Sequence, residues 1–231
     1  MRIKAVLFDL GNTLVEPWIP EIVFQRILNS LGIRRSVSEV KEALAKTEAE
    51  FNALGYRSLY GKLPYKEYWH KWDSRVLEFL GVPAKKEHIE EILSKWFDYA
   101  ECKMHPDVAE TLLKLKKLEL KLGLVSTGYE EDIHTIFEKI NLQRELFDVI
   151  IGVNTIKKEK PHPEVFRYAL AKLNVEPSQA LFVGDNVDAD YKGAEKAGLK
   201  AILIQRTKSE NHSTKGFRVI KSLKEIFKYI E

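Results

Sequence analysis

The feature that most constrains the fold of this chain is an alternation of short apolar runs and longer amphipathic segments after His105-Pro106. Apolar runs of this length are typical of buried strands, whereas the amphipathic segments have the spacing of helices. Strands are predicted at residues 3–8, 121–125, 149–153, 180–183 and 200–204, and helices at 107–117, 130–140, 163–173 and 190–197. Strands that alternate with helices form a parallel sheet with right-handed crossovers. The sequence therefore predicts an α/β fold, with a Rossmann-like parallel sheet core flanked by helices.

The stretch that follows the first predicted strand has a different pattern. It contains amphipathic helical segments and no convincing strand, and Ser36 is placed to cap the second of them. The four helices are predicted at 20–31, 36–54, 66–80 and 87–99. A chain of 231 residues fits one large domain or one domain that carries an insertion. We therefore predict an α/β core made of residues 1–15 and 103–231, interrupted by an all-helical, four-helix domain at residues 16–102.

Composition limits the partners and the setting of the chain. The 37 basic and 34 acidic residues are mixed along the sequence, so no nucleic-acid partner is expected. No apolar segment approaches the roughly 18 residues of a membrane span, and the first residues do not resemble a signal peptide. We expect no membrane partner and a cytoplasmic location. Cys102 is the single cysteine, so no intrachain disulfide forms, and the 31% of charged residues favours a thermophilic source.

Polar side chains follow the predicted strands at the points where these strands end. Asp9 follows the first strand, Ser126-Thr127 the second and Gly184-Asp185 the fourth, while Lys160 lies in the loop after the third. An aspartate after a strand is by itself most often a turn or helix-cap residue. Because ligands bind at the carboxyl ends of the strands in an open parallel sheet, however, this combination predicts a site at one edge of the sheet.

Four motifs give the chain a family resemblance. The motifs are Phe8-Asp-Leu-Gly-Asn-Thr-Leu14, Leu124-Val-Ser126, Lys160-Pro-His-Pro-Glu-Val-Phe166 and the segment from Phe182 through Gly184-Asp185 and Asp190 to Gly198. They resemble, in this order, the four motifs of the haloacid dehalogenase-like superfamily. The helical insert resembles the first type of cap domain in that family, a cap that we expect to cover the site. The resemblance implies a phosphatase with an α/β catalytic core.

The resemblance assigns a role to each candidate residue. It implies a Mg²⁺-dependent phosphohydrolase that acts on a small phosphorylated metabolite, with Asp9 as the nucleophile that forms an aspartyl-phosphate. The implied Mg²⁺ ligands are Asp9, the backbone carbonyl of Gly11, Asp185 and Asp190, the last either directly or through water. Lys160 and Ser126 are the other implied catalytic residues, and the implied phosphate-binding groups are Ser126, Thr127, Lys160 and the backbone N–H groups of Leu10 and Gly11.

Gly11 departs from the family pattern. Phosphatases of the family usually carry a second aspartate at this position, which protonates the leaving group and then activates water. Three consequences are open: a preference for substrates with good leaving groups, replacement by Glu16, Tyr129 or a residue of the cap, or a long-lived aspartyl-phosphate. Two other functions are also open, namely a 2-haloacid dehalogenase that uses the same nucleophile and a catalytically weak phosphate-binding or regulatory protein. A monomer and a homodimer are both compatible with the sequence.

Four further residues have less specific patterns. Asp188 is expected to be a solvated loop carboxylate or helix cap rather than a metal ligand. His162 and His105 are expected to be structural, and Cys102 is expected to be a buried or half-buried thiol.

Overall fold

The computed structural model describes residues 2–206 and 216–230. The chain divides into two compact units, one formed by Met1–Pro17 with Lys103–Glu231 and the other by Trp18–Cys102. The names catalytic core and cap for these two units stay predictions.

The unit Trp18–Cys102 is helical. Its helices are α1 (Pro20–Ser30), α2 (Val37–Ala53), α3 (Tyr65–Phe79) and α4 (Lys86–Tyr99), with a 3₁₀ turn at Tyr56–Leu59. At the start of α2, the Ser36 hydroxyl accepts a hydrogen bond from the Glu39 N–H, and the Glu39 carboxylate accepts one from the Ser36 N–H. This reciprocal pair satisfies N–H groups that have no partner within the helix. The four predicted helices and the Ser36 cap are confirmed.

The other unit contains a six-stranded parallel sheet. Its strands are β1 (Ala5–Phe8), β2 (Lys121–Val125), β3 (Val149–Ile151), β4 (Ala180–Gly184), β5 (Lys200–Ile204) and β6 (Val219–Ile220), in the order β3-β2-β1-β4-β5-β6. This is the strand order of a doubly wound fold, so the predicted Rossmann-like parallel sheet is confirmed. In such a sheet the strand order reverses between β1 and β4, and ligands bind in the crevice at that point.

Helices connect the strands of this unit. They are α5 (Val108–Lys117), α6 (Glu130–Lys139), α7 (Val153–Ile156), α8 (Pro163–Leu173) and α9 (Gly193–Lys196), and a 3₁₀ segment covers Leu223–Tyr229. Buried apolar side chains of β4, β5 and α8, including Phe166 and Phe182, form a core on one face of the sheet. The Phe166 and Phe182 rings meet edge to face, with their centroids 5.1 Å apart. The loops at the ends of the strands are thereby built on a rigid, buried base.

Most predicted elements shift by one or two residues at an end in the structure, and two of the differences have a local cause. The third strand ends at Ile151 rather than at residue 153, because Val153 begins α7 and its N–H bonds to the carbonyl of Gly128 at 2.9 Å. The helix predicted at 190–197 begins earlier, as a π-helical turn at Val187–Lys192 that continues into α9. The reason is a local cap, since the Asn186 side chain accepts hydrogen bonds from the N–H groups of the two residues after Val187.

Two elements near the carboxyl end, β6 and the 3₁₀ segment after it, were not predicted from the sequence. The described ranges 2–206 and 216–230 contain no helix with both the length and the apolar character required to cross a bilayer.

Candidate active site

The loop after β1 holds Asp9 at the carboxyl edge of the sheet. The Asp9 N–H donates to the carbonyl of Val183 in β4 at 2.9 Å, which extends the pairing of the two strands by one residue. The loop then turns sharply, because the N–H groups of Leu14 and Val15 both donate to the Leu10 carbonyl. Asp9 is 7% exposed. Its side chain is thus held on a short, hydrogen-bonded turn rather than on a free loop.

The segment after β4 contributes two further carboxylates, Asp185 in the loop and Asp190 in the π-helical turn. Asp190 is buried, and its carboxylate accepts a hydrogen bond from the Asn186 N–H at 3.0 Å. The side chain packs against the backbone of Gly184 so closely that a Cβ atom on that residue would collide with the Asp190 carboxyl group. Glycine is therefore required at position 184 by the approach of a neighbouring side chain.

Lys160 forms ion pairs with both the loop after β1 and the segment after β4. Its ammonium group donates to Asp9 Oδ1 at 2.6 Å and to Asp190 Oδ1 at 2.7 Å. The Lys160 side chain is 2% exposed and lies between α7 and α8, so these two carboxylates are its partners inside the protein. Charge-assisted hydrogen bonds of this kind are stronger than neutral ones. They fix the distance between the loop after β1 and the segment after β4.

Three carboxylates of the loop after β1 and the segment after β4 form a candidate cation site. Oxygen atoms of Asp9, Asp185 and Asp190 all lie within 4.8 Å of one another. Carboxylate oxygens are the ligands that Mg²⁺ prefers, and the ion usually binds through one or two of them together with water and substrate oxygens. The donor set therefore fits Mg²⁺. Asn12 donates from its amide to Asp185 Oδ2 at 2.9 Å and so orients this carboxylate.

The pKa values at the site reflect an excess of buried negative charge. Burial is the largest influence on Asp9 and raises the pKa of its carboxyl group to about 7, with smaller increases from Asp190 and Asp185, while Lys160 acts in the opposite direction. Burial also raises the pKa of Asp185. Lys160 shows the opposite balance, because its two carboxylate partners outweigh burial and raise its pKa. A cation bound among the carboxylates would favour their charged forms.

The loop after β2 carries Ser126 and Thr127. The Ser126 N–H donates to the Ile151 carbonyl, and its hydroxyl accepts a hydrogen bond from the Gly128 N–H at 3.1 Å. Ser126 is nearly buried and Thr127 is half-buried. These contacts hold the loop beside β3, whereas Asp9 bonds to Lys160 and to Val183 of β4. The phosphate-binding roles of Ser126 and Thr127 stay predictions.

Gly11 and the residues considered as replacements for the missing aspartate differ in how much space surrounds them. Leu10 is buried, whereas Gly11 is exposed, and no described heavy atom outside its immediate neighbours lies within 4 Å of the position that a Cβ atom would take. Among the residues considered as replacements for the missing aspartate, Tyr129 is fully buried at the start of α6 and Glu16 is half-buried. A Cβ atom can therefore be added at Gly11 without a close contact to described residues beyond its neighbours.

The residues with less specific patterns are placed as expected from the sequence. Asp188 is 79% exposed at its side chain and pairs with Lys192 at 2.7 Å, so it is a solvated surface carboxylate. His162 caps α8, where its Nδ1 accepts from the Glu164 N–H. Cys102 is a half-buried thiol. His105 is also half-buried, and burial lowers its pKa, as is typical of a structural histidine.

Sequence reasoning missed three residues that support the site, namely Asn12, Gly184 in its packing role, and Asn186. Asn12 adopts a left-handed conformation with φ of 53°, which asparagine tolerates better than most residues. The Gly11-Asn12 pair, which begins two positions after Asp9, was the available signal for a tight turn. Nothing in the sequence indicates that the Asn12 amide bonds to a carboxylate 173 positions away.

Comparison with known proteins identifies the class to which this fold and site belong. The family model of haloacid dehalogenase-like hydrolases matches residues 3–198. The chain is a member of that family, which confirms the resemblance found in its four motifs.

Its relatives include phosphatases. A glyceraldehyde 3-phosphate phosphatase of Methanopyrus kandleri is 29% identical over 90% of this chain and 87% of the relative. A pyrophosphatase PpaX of Bacillus cereus is 27% identical over 90% of this chain and 85% of the relative. Among solved structures, a HAD phosphatase of Thermococcus onnurineus is 26% identical, with a TM-score of 0.67 and coverage of 99% of this chain and 98% of that one. A magnesium-bound HAD hydrolase of Bacillus subtilis has a TM-score of 0.73 at 17% identity, covers all of both chains and shares the fold.

Proposed function

We propose that this protein is a Mg²⁺-dependent phosphohydrolase that uses Asp9 to take up the phosphoryl group of a small phosphorylated metabolite. The observation that carries the proposal is the convergence of the Asp9, Asp185 and Asp190 carboxylates within 4.8 Å, with Lys160 bonded to two of them. Three carboxylates this close stay charged together only when cations lie beside them. Lys160 supplies one positive charge, and the remaining negative charge favours a divalent ion.

Each residue of the site has a role in the proposed reaction. Asp9, Asp185, Asp190 and the Gly11 carbonyl are the groups that would hold Mg²⁺, which neutralises negative charge on the phosphoryl group when it is bound. Lys160 keeps Asp9 in place and offsets the charge that Asp9 shares with the phosphoryl oxygens. Ser126, Thr127 and the N–H groups of Leu10 and Gly11 bind those oxygens.

The chemistry proceeds in two displacements at phosphorus. An oxygen of the Asp9 carboxylate forms a bond to phosphorus, and the bond from phosphorus to the leaving oxygen breaks, with its electron pair staying on that oxygen. Water then attacks the same phosphorus and gives up a proton to solvent, and the bond from phosphorus to Asp9 breaks, which releases Asp9 as a carboxylate together with inorganic phosphate. Covalent catalysis of this kind divides one difficult step into two easier ones.

Because of Gly11, proton transfer is the most demanding part of this reaction. A glycine at this position supplies no carboxyl group to protonate the leaving oxygen, and positioned acid–base catalysis contributes about 10² to 10⁴ in rate. We infer that leaving groups of low pKa, as in acyl, aryl or anhydride phosphates, depart more readily than alkoxides. A pyrophosphatase among the relatives is in keeping with this inference, since phosphate is a good leaving group.

Turnover of p-nitrophenyl phosphate tests the proposal. We expect hydrolysis that requires Mg²⁺, stops with EDTA and is lost in Asp9→Asn. Asp188→Asn is the matched control, because Asp188 is a solvated carboxylate beside the site whose partner is Lys192, and we expect it to retain activity. A panel that contains glyceraldehyde 3-phosphate, pyrophosphate and acyl phosphates then identifies the substrate. Absence of turnover on every member of the panel would overturn the proposed function.

A further inference from the structure

A buried ion pair lies next to the loop of Asp9 and is not used by the proposed chemistry. Asp107 accepts hydrogen bonds at both carboxylate oxygens from Arg206 Nη1, at 2.8 and 2.7 Å. The side chains of Asp107 and Arg206 are 11% and 8% exposed. A charged pair with so little exposure costs desolvation energy, so it requires further hydrogen bonds to be stable.

The carboxyl-terminal segment supplies those further bonds to Asp107. The Ser222 hydroxyl donates to Asp107 Oδ2 at 2.6 Å, and the Leu223 N–H donates to the same oxygen at 2.7 Å. Asp107 stands directly before α5, yet its side chain makes no hydrogen bond to cap that helix. Its carboxylate is therefore hydrogen-bonded to Arg206 and to the segment after β6 instead. Burial by itself would raise the pKa of Asp107, but these partners together hold it below its ordinary value.

Arg206 in turn reaches the loop that carries the nucleophile. Its Nη2 donates to the backbone carbonyl of Thr13 at 2.5 Å. Thr13 is fully buried and lies four positions after Asp9, on the same tight turn that contains Gly11 and Asn12. The rigid guanidinium fork thus joins the Asp107 carboxylate to the turn with two different nitrogens. A lysine at position 206 could pair with Asp107, but it lacks the second planar arm.

We propose that Arg206 is a positioning residue for the reaction at Asp9, which it supports through the Thr13 carbonyl, and that Asp107, Ser222 and Leu223 hold the guanidinium in place. This inference rests on the proposed function. The Asn12 amide bonds to Asp185 and the Thr13 carbonyl accepts from Arg206, so distant side chains hold two consecutive residues of the turn. Loss of the Arg206 contact frees the turn and misplaces the Asp9 carboxylate and the Gly11 carbonyl relative to Asp185.

The test compares Arg206→Lys and Arg206→Met with a matched control, Lys116→Met, which removes a partly exposed ion pair to Asp148 elsewhere in the same unit. Kinetics with p-nitrophenyl phosphate are measured below the unfolding temperature of each variant. Displacements near 1 Å cost about 10²-fold in rate, so we expect kcat to fall about 10-fold or more in both Arg206 variants with KM changed less. Lys116→Met should retain the wild-type kcat. Unchanged kcat in folded Arg206→Lys would overturn the inference, since a purely stabilising ion pair would show only a lower Tm.

Hydrogen exchange provides a readout that does not depend on activity. In Arg206→Lys we expect faster amide exchange in a peptide that covers residues 9–15, with unchanged exchange in a peptide from α8. Unchanged exchange at 9–15 would contradict the positioning role whether or not the protein hydrolyses a phosphate. If the wild type turns over no phosphate, the proposed function fails, and the exchange experiment still decides whether Arg206 holds the turn.

Discussion

The ammonium group of Lys160 donates to the carboxylate of Asp9 at 2.6 Å from a position 151 residues later in the chain. The same ammonium bonds to Asp190, so it is the shared counter-charge of two buried carboxylates. In Lys160→Met we expect kcat to fall about 10²- to 10³-fold, in the range seen when a group that stabilises transition-state charge is removed. The measurement is steady-state hydrolysis of an aryl phosphate at saturating Mg²⁺.

A surface lysine provides the control for that substitution. Lys192 pairs with the exposed Asp188 close to the site in sequence. Lys192→Met removes the same charge from the chain, so it should leave kcat within about twofold, because exposed ion pairs contribute little. An equal loss in both variants would show that net charge, rather than the bond to Asp9, explains the effect.

The open space at Gly11 permits a gain of function. No described heavy atom outside its immediate neighbours lies within 4 Å of a Cβ position there, so a Cβ atom can be added without displacing the loop. In Gly11→Asp we expect kcat/KM for alkyl phosphates to rise about 10²-fold, since a positioned proton carrier contributes at least that much. Aryl phosphates should gain much less, because their leaving groups need no proton.

The matched control is Gly11→Asn, which has nearly the same shape but cannot carry the proton. A gain that appears equally in both variants would assign the effect to loop rigidity. No gain in either would show that another group already serves as the acid and base.

Gly184 should tolerate no side chain. A Cβ atom at this position would collide with the carboxyl group of Asp190, which would then move away from Lys160. We expect Gly184→Ala to lower kcat about 10²-fold, as for other displacements of catalytic groups by about 1 Å. Gly11→Ala is the control, because it adds the same methyl group where no described heavy atom beyond the immediate neighbours lies within 4 Å. Calorimetry of both variants separates loss of geometry from loss of folding, and full activity of Gly184→Ala would contradict the close packing of Asp190 against Gly184.

Much of the site follows from the sequence, because it depends on strand order. Asp9, Ser126 and Asp185 each follow a strand, and parallel strands bring their carboxyl ends to one edge of the sheet. The supporting contacts do not follow in this way. Arg206 and Asp107 are 99 positions apart, and no periodicity links an arginine after β5 with an aspartate before α5. Such pairs depend on side-chain directions that exist only in the packed structure, as does the approach of Asp190 to Gly184.

The helical unit offers a prediction about stability and pH. Asp73 in α3 is 4% exposed, and burial raises the pKa of its carboxyl group well above its ordinary value. The folded state therefore retains a proton that the unfolded chain loses, so the free energy of unfolding decreases as pH rises from the ordinary aspartate pKa to the raised one. Asp73→Asn keeps the shape without this proton, and we expect it to stabilise the protein by about 1–2 kcal/mol at neutral pH.

Urea denaturation of both proteins at acidic and at neutral pH checks this expectation. The difference in stability should shrink as the pH is lowered, because the wild-type carboxyl group is then protonated in both states. A difference that is constant with pH, or a less stable variant at neutral pH, would show that the Asp73 carboxylate is favourably bound in the folded protein.

The central claim is that Asp9 itself receives the phosphoryl group, and chemical trapping tests it most directly. The enzyme is mixed with Mg²⁺ and an aryl phosphate, quenched during turnover and treated with borohydride, which reduces an aspartyl-phosphate to homoserine. Mass spectrometry should then locate homoserine at position 9 in the wild type and in Asp188→Asn, and nowhere in the peptide without substrate. Continued turnover with an unmodified Asp9, or with the trapped group on a different residue, would contradict the assignment of Asp9 as the nucleophile.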